Sequence, residues 1–293
     1  MIKKMFLAVI AVGIFATSCS NDDDGTVTSR LNISLDGLEN LGDDFVYEGW
    51  IIVDGSPVST GVFTVDDSGN LSETSFSIEK ETLDAATTFV LSIEPAVDPD
   101  PAPADTKLLV GDFSGDSASV SSDGIVADFA SASGTYILAT PTDSDDTNES
   151  SGVWFLDNST GSMVAGLDLP TLSAGWQYEG WVVFDGTPIT TGTFLDAEMA
   201  DDNAATSPFK GSVGNGPGYP GEDYVKGTAA GVTFPTDLKG RTIVISVEPS
   251  PDNSAAPFAL KPLAHVVPDN AADHTAISMG AGPVASLSGT VSR

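Results

Sequence analysis

The seventeen residues Tyr47–Phe63, YEGWIIVDGSPVSTGVF, occur again at Tyr178–Phe194 as YEGWVVFDGTPITTGTF, 131 residues further on. Ten of the seventeen positions are identical, and most of the others exchange Val for Ile or Ser for Thr. A second match pairs FVLSIEP (Phe89–Pro95) with IVISVEP (Ile243–Pro249) at an offset of 154. A third and shorter one pairs Ser133-Gly134-Thr135 with Ser288-Gly289-Thr290. The chain of 293 residues is therefore two copies of one unit, with 23 additional residues (154 − 131) inside the second. A fold that cannot be built twice from these motifs is excluded.

The repeated segments carry strand chemistry. Val, Ile, Thr, Phe, Tyr and Trp come in short runs that suit a pleated, half-buried surface. Asp54-Gly55 and Asp185-Gly186 interrupt those runs where a tight hairpin turn is needed. No stretch shows a convincing helical period. The expectation is an all-β chain of two tandem antiparallel β-sandwich domains. The first spans 30–141 and the second 153–293, the latter with a Gly/Pro-rich insertion at about 196–239. Between them 142–152, containing TDSDDTNESS, reads as an acidic linker. Its apolar flanks, Tyr136–Ala139 and Val153–Leu156, either form a hairpin across the junction or bracket a flexible tether.

The N-terminus addresses the chain to an envelope. Lys3 and Lys4 precede the uncharged apolar run Met5–Ala16, which falls short of the roughly 20 residues of a membrane-spanning helix. Thr17-Ser18-Cys19 follows and resembles the bacterial lipoprotein box, although Ala16 stands where that family usually has Leu. The resemblance implies that residues 1–19 are a signal, that a diacylglycerol is attached to Cys19, and that Cys19 becomes the new N-terminus. The chain has no other cysteine, so it contains no intramolecular disulfide. Residues 20–29 read as an acidic tether. Its opening, Ser20-Asn21-Asp22-Asp23-Asp24, resembles the export signal of Bacteroidetes-type surface lipoproteins. That implies display on the outer face of the outer membrane, with the periplasmic face as the alternative.

Charge excludes two partner classes. With 42 acidic and 11 basic residues the net charge is −31, which repels both nucleic-acid phosphates and anionic lipid headgroups. Membrane attachment is thus expected through the acyl anchor alone, and no nucleic-acid partner is expected. Hydrophobic residues make up 41% of the chain, enough for a packed core despite the charge.

A strand with Gly-Trp, then Asp-Gly-x-Pro, Thr-Gly-x-Phe and Ser-x-Glu-Pro, occurs in both copies and resembles the extracytoplasmic C-terminal domain of anti-sigma-K factors. The polar, Pro-containing stretches after the Glu-Pro, Asp98–Pro103 and Pro251–Ser254, belong to the same likeness. It implies an outward-facing module for sensing or partner contact. The sigma-gripping domain and crossing helix of that family have no counterpart in this sequence, so its regulatory activity is not carried over.

Candidate chemistry is sparse. The repeated carboxylates Glu48/Glu179 and Glu94/Glu248 could serve as acid and base in sugar hydrolysis. A strand-end Glu before Pro is more economically a turn or edge device, so no catalytic residue is expected. Tyr47, Trp50, Tyr178 and Trp181 are expected in the cores. Trp154 and Trp176 lie outside the YEGW motif and are expected to be exposed. With Tyr219, Tyr224, Glu222 and Asp223 of the insertion they form the candidate ligand surface. Asp201, Asp202, Glu222 and Asp223 could offer oxygens to calcium, but no twelve-residue loop has the required ligand spacing. A solvated acidic loop is the main expectation, with no metal and no cofactor besides the lipid on Cys19. His265 and His274 are too few and too far apart for zinc. Nucleophile-elbow, phosphate-loop and dinucleotide motifs are missing. The expected function is that of a non-enzymatic, lipid-anchored envelope protein, a binding or structural module for a protein or glycan partner. The alternatives are a stand-alone sensor related to anti-sigma-K extracytoplasmic domains, and a glycan-binding or glycan-degrading surface protein.

Overall fold

The computed structural model describes residues 27–100, 102–251 and 254–293; Cys19 and most of the tether lie outside them. The chain opens with β1 (Thr28–Asp36), β2 (Phe45–Val53), β3 (Ser56–Phe63), β4 (Ser75–Glu79), β5 (Thr88–Pro95), β6 (Lys107–Ser114), β7 (Ser117–Ser121) and β8 (Ser133–Leu138). One short helix, α1 (Lys80–Asp84), lies between β4 and β5. Next come β9 (Gly152–Trp154), β10 (Leu156–Asp157), β11 (Val164–Ala165), β12 (Leu167–Asp168), β13 (Trp176–Phe184) and β14 (Thr187–Phe194). The remainder is β15 (Gly221–Asp223), β16 (Thr228–Ala229), β17 (Val232–Thr233), β18 (Thr242–Pro249), β19 (Lys261–Val266), β20 (Ile277–Ser278), β21 (Gly280–Val284) and β22 (Ser288–Ser292). The fold is all-β with antiparallel pairing, as its sequence chemistry dictates. Strand β1 begins at Thr28, so the tether assigned to 20–29 ends earlier than its composition suggests.

Side-chain alternation explains which strands lie where. Along β1, Leu31, Ile33 and Leu35 are buried while Arg30, Asn32 and Ser34 face water, the period of two that a one-sided strand requires. Strands β5 and β18 are flanked by partners on both sides and buried on both faces, hence their unbroken runs FVLSI and IVISV. The duplication extends to the backbone. Hairpins β2–β3 and β13–β14 turn on Asp54-Gly55 (φ +50° and +77°) and Asp185-Gly186 (φ +50° and +89°). A two-residue hairpin that follows the twist of its strands needs both residues at positive φ, which Asp tolerates and Gly favours. Both hairpins also shift register at the same place, Gly49/Trp50 and Gly180/Trp181.

The sheets do not divide where the sequence is most polar. One eight-stranded sheet runs β3-β2-β5-β6-β7-β22-β1-β4, so the last strand of the chain lies among strands of the first copy. Conversely β8, the last strand of the first copy, lies between β12 and β9 and also pairs with β20. The other large sheet is β14-β13-β18-β19-β21. Two self-contained tandem units, split at 142–152, are therefore not what forms: each copy receives its terminal strand from the other. The 142–152 segment is no loose tether either. Strands β8 and β9 form the hairpin across it, Ile137 opposite Trp154 and Leu138 opposite Val153. Thr142 N and Oγ1 donate to Asp223 at 2.7 and 2.5 Å, while Gly211 and Val213 donate back to Thr142 at 2.8 Å. These partners are too distant in sequence for composition to reveal them.

Candidate functional site

The repeated Gly-Trp and Ser-x-Glu-Pro motifs build one device twice. Trp50 Nε1 donates to Ser92 Oγ at 2.8 Å, Ser92 Oγ donates to Glu94, and Glu94 accepts the Ala104 N–H at 2.8 Å. In the second copy Trp181 Nε1 donates to Ser246 Oγ at 2.7 Å, Ser246 Oγ donates to Glu248, and Glu248 accepts the Phe258 N–H at 2.9 Å. All six side chains are buried. The glutamates precede prolines because each chain must turn away there, and each carboxylate reaches ten residues ahead to pin the loop that follows. Burial raises the Glu94 pKa, opposed by the Ser92 and Ala104 hydrogen bonds. The structural role expected of these carboxylates is thereby given a geometry, but not at an edge: β5 and β18 are interior strands and both glutamates are buried.

The two pinned loops face each other across a cleft of about 450 Å³. Leu41, Phe45, Ile93, Pro95, Pro249 and Phe258 supply apolar wall, and Glu39, Asp43, Asp44 and Asp105 an acidic rim. Its floor is rigid. The Trp176 ring lies tilted at 5.7 Å from Phe258, and its Nε1 donates to Lys107 O at 3.2 Å. Gly175 N-terminal to it lies so close to the first copy that a Cβ there would sit 2.6 Å from Asp105 C and Thr106 N. The nearby cations are tied down: Lys107 Nζ donates to Ala104 O at 2.9 Å and Lys261 Nζ to Phe258 O. Both ammonium groups are thereby held at backbone carbonyls of the two pinned loops.

The residues singled out for ligand contact lie elsewhere and are mostly inside. Trp154 and Trp176 are each 2% exposed, contrary to the exposure expected of them. Trp176 is covered by the Phe258 loop. Trp154 is covered by the glycine-rich loop itself, where a Cβ on Gly216 (φ +87°) would sit 2.0 Å from the indole. Those glycines let backbone lie flat on a ring, a purpose their spacing alone did not disclose. Tyr224, Glu222 and Asp223 are buried, and only Tyr219 keeps partial exposure. Asp223 holds Trp154 Nε1 at 2.7 Å as well as Thr142. Tyr224 OH donates to Thr190 O at 2.8 Å. These residues anchor the insertion onto the second copy rather than present it.

The four carboxylates considered for calcium do not all converge. Asp202 is exposed, Asp223 accepts from Thr142 N, Thr142 Oγ1 and Trp154 Nε1, and among the described residues no group of three or more acidic, His or Cys side chains is placed to hold an ion. Asp201 and Glu222 are instead a buried acidic pair, 5% and 2% exposed, not the solvated loop expected of them. Burial pushes Asp201 up to about 6 and Glu222, with Asp201 and Asp223 nearby, up to about 8. Compared with known proteins, the chain matches no family model, no curated protein and no solved structure.

Proposed function

We propose that this chain is a non-enzymatic, lipid-anchored cell-envelope protein that binds a partner in the cleft between its two Glu-Pro loops. The cleft carries the reading: a preformed, partly apolar concavity of about 450 Å³ whose loops are fixed by buried hydrogen-bond relays. An acidic rim over apolar walls suits a short peptide segment bearing basic and apolar side chains. A sugar-stacking platform has less support, since all four tryptophans are buried. The glutamates with most claim to acid–base chemistry, Glu94 and Glu248, have their oxygens engaged in holding loops. Among the described residues no helix is long and apolar enough to cross a membrane, and the acyl chain on Cys19 is the proposed attachment. Titration with short basic peptides and neutral oligosaccharides tests the ligand class. The exposed pair Asp43→Lys/Asp44→Lys should weaken peptide binding by ~tenfold or more and flatten its salt dependence. Equal binding to both proteins, or binding of oligosaccharides alone, overturns the reading. Cys19→Ser should move the protein from the envelope fraction to the soluble one.

A further inference from the structure

One duplicated glycine, on β3 and again on β14, faces different company in the two copies. Gly61 (φ +126°) lies opposite Gly49, and Gly192 (φ +114°) opposite Gly180, at the same place in each hairpin. A Cβ on Gly61 would sit 3.0 Å from the Phe76 ring, so the first copy closes this position with an apolar plug. At Gly192 the same point is 2.7 Å from Asp201 Oδ1 and 2.7 Å from Asn203 Oδ1. Both oxygens are shut off from water and have no hydrogen-bond partner among the described residues. The N–H groups of Asn203 and Ala204 approach Asp201 without closing a hydrogen bond to Oδ1. The other Asp201 oxygen, Oδ2, accepts the Gly221 N–H at 3.0 Å, which brings Asp201 beside Glu222. Glu222 Oε1 accepts the Asp223 N–H at 2.9 Å, and Oε2 is a third buried oxygen without a donor. Asp201 (5% exposed) and Glu222 (2% exposed) are reached by none of the ion pairs among the described residues. Where the first copy packs a ring, the second thus gathers buried acceptors that nothing compensates.

We propose that Asp201 Oδ1, Asn203 Oδ1 and Glu222 Oε2 are the protein ligands of a calcium ion seated beside Gly192. The set is two carboxylates and one carboxamide, hard oxygen donors whose two negative charges one divalent cation cancels. Asp201 Oδ1 and Asn203 Oδ1 lie no further apart than twice their distance to the Gly192 point, close to the span that one calcium bridges at about 2.3–2.6 Å from each oxygen. Calcium tolerates such an irregular set and fills its remaining positions with water, whereas magnesium demands about 2.0–2.1 Å and near-octahedral geometry. Gly192 makes the room, since any side chain there would take the place of the ion. The ion ties 201–203, near the start of the insertion, to β14 and β15. The rival arrangement is internal: with its amide turned over, Asn203 Nδ2 donates to Asp201 and no ion is needed. The site shares no residue with the cleft, and each can fail alone.

The full chain is stripped with EDTA, exchanged into chelator-free buffer and titrated with calcium chloride by calorimetry, with amide exchange followed by mass spectrometry. One calcium per chain is expected, with Kd of about 0.1–1 mM, the range of extracellular modules. Protection should be gained at 190–203 and 221–224 and not in the acidic 142–149 segment. Asp201→Asn and Asn203→Ala should each weaken binding by about tenfold or more, because ligand charge and ligand count set calcium affinity. Asp202→Asn, at the exposed neighbour, should leave it unchanged. Should a substituted chain fail to fold, the position of protection in the native chain decides alone. The proposal is overturned by no bound calcium at about 10 mM, tenfold above that range. Magnesium bound as tightly, protection confined to 142–149, or undiminished binding by a folded Asp201→Asn chain overturns it equally.

Discussion

Glu222→Gln should alter how the stability of this protein depends on pH. The Glu222 carboxyl is 2% exposed; it accepts the Asp223 N–H at 2.9 Å and a hydrogen bond from Ser207, while Oε2 has no partner. None of the three ion pairs found among the described residues involves it. Burial, reinforced by Asp201 and Asp223, moves its pKa from 4.5 to about 8. A folded-state pKa raised above the unfolded value means that the folded chain holds the proton more tightly. The associated stability is complete below the unfolded value and is lost as pH rises through the folded one. At about 1.36 kcal/mol per unit, the window from 4.5 to about 8 is worth roughly 5 kcal/mol, of which about 4 kcal/mol disappears between pH 5 and pH 9. That figure is an upper one, because water entering around the ionised group relieves part of it. Glutamine keeps the volume and an accepting oxygen but cannot ionise. Denaturant unfolding of both proteins at pH 5, 7 and 9 should show the native chain losing several kcal/mol more than the variant across that range. Parallel stability curves would falsify the assignment of a buried, uncompensated carboxyl.

Two further outcomes follow from the packing. Trp181→Phe retains a buried ring but removes the donor to Ser246 Oγ at 2.7 Å, and should cost about 1–2 kcal/mol in chemical denaturation while loosening the Phe258 loop. Unchanged stability and unchanged amide exchange at Phe258 would show that the relay carries no energy. Gly216→Ala places a Cβ 2.0 Å from the Trp154 ring at φ +87°, so the loop must lift. The expected results are a loss of about 1–3 kcal/mol and easier acrylamide quenching of tryptophan fluorescence; a native-like quenching profile would refute the close packing.

Much of the local structure was legible because its causes are local. Asp-Gly between β-branched runs forces a tight hairpin at Asp54 and at Asp185, and the repeated YEGW segments pair and shift register alike. The pinning role of Glu94 and Glu248 was half legible: the Pro after each marked a turn, but nothing in the chain marked Ala104 or Phe258 as the partner ten residues on. Trp154 and Trp176 were misplaced for a related reason. Both lie outside the YEGW motif, Trp176 standing where the first copy has the half-buried Phe45, and their covers come from Gly216 and Phe258, 62 and 82 residues away. The acidic residues of the insertion misled because charge predicts exposure only on average; Asp201 and Glu222 lie beneath the insertion that carries them.

The sequence by itself determined that the chain is duplicated, strand-built and turned at particular dipeptides, since φ preferences, side-chain alternation and hairpin closure act over a few residues. Which copy a terminal strand completes was decided only in three dimensions. Ser-Gly-Thr strands at 133 and 288 are chemically fit for either slot, and selection between near-equivalent pairings depends on where short connections such as Ala285–Leu287 can reach once the rest of both sheets is formed. The cleft is likewise tertiary, for its lining comes from residues 39–45 and the two Glu-Pro loops, which lie in different copies.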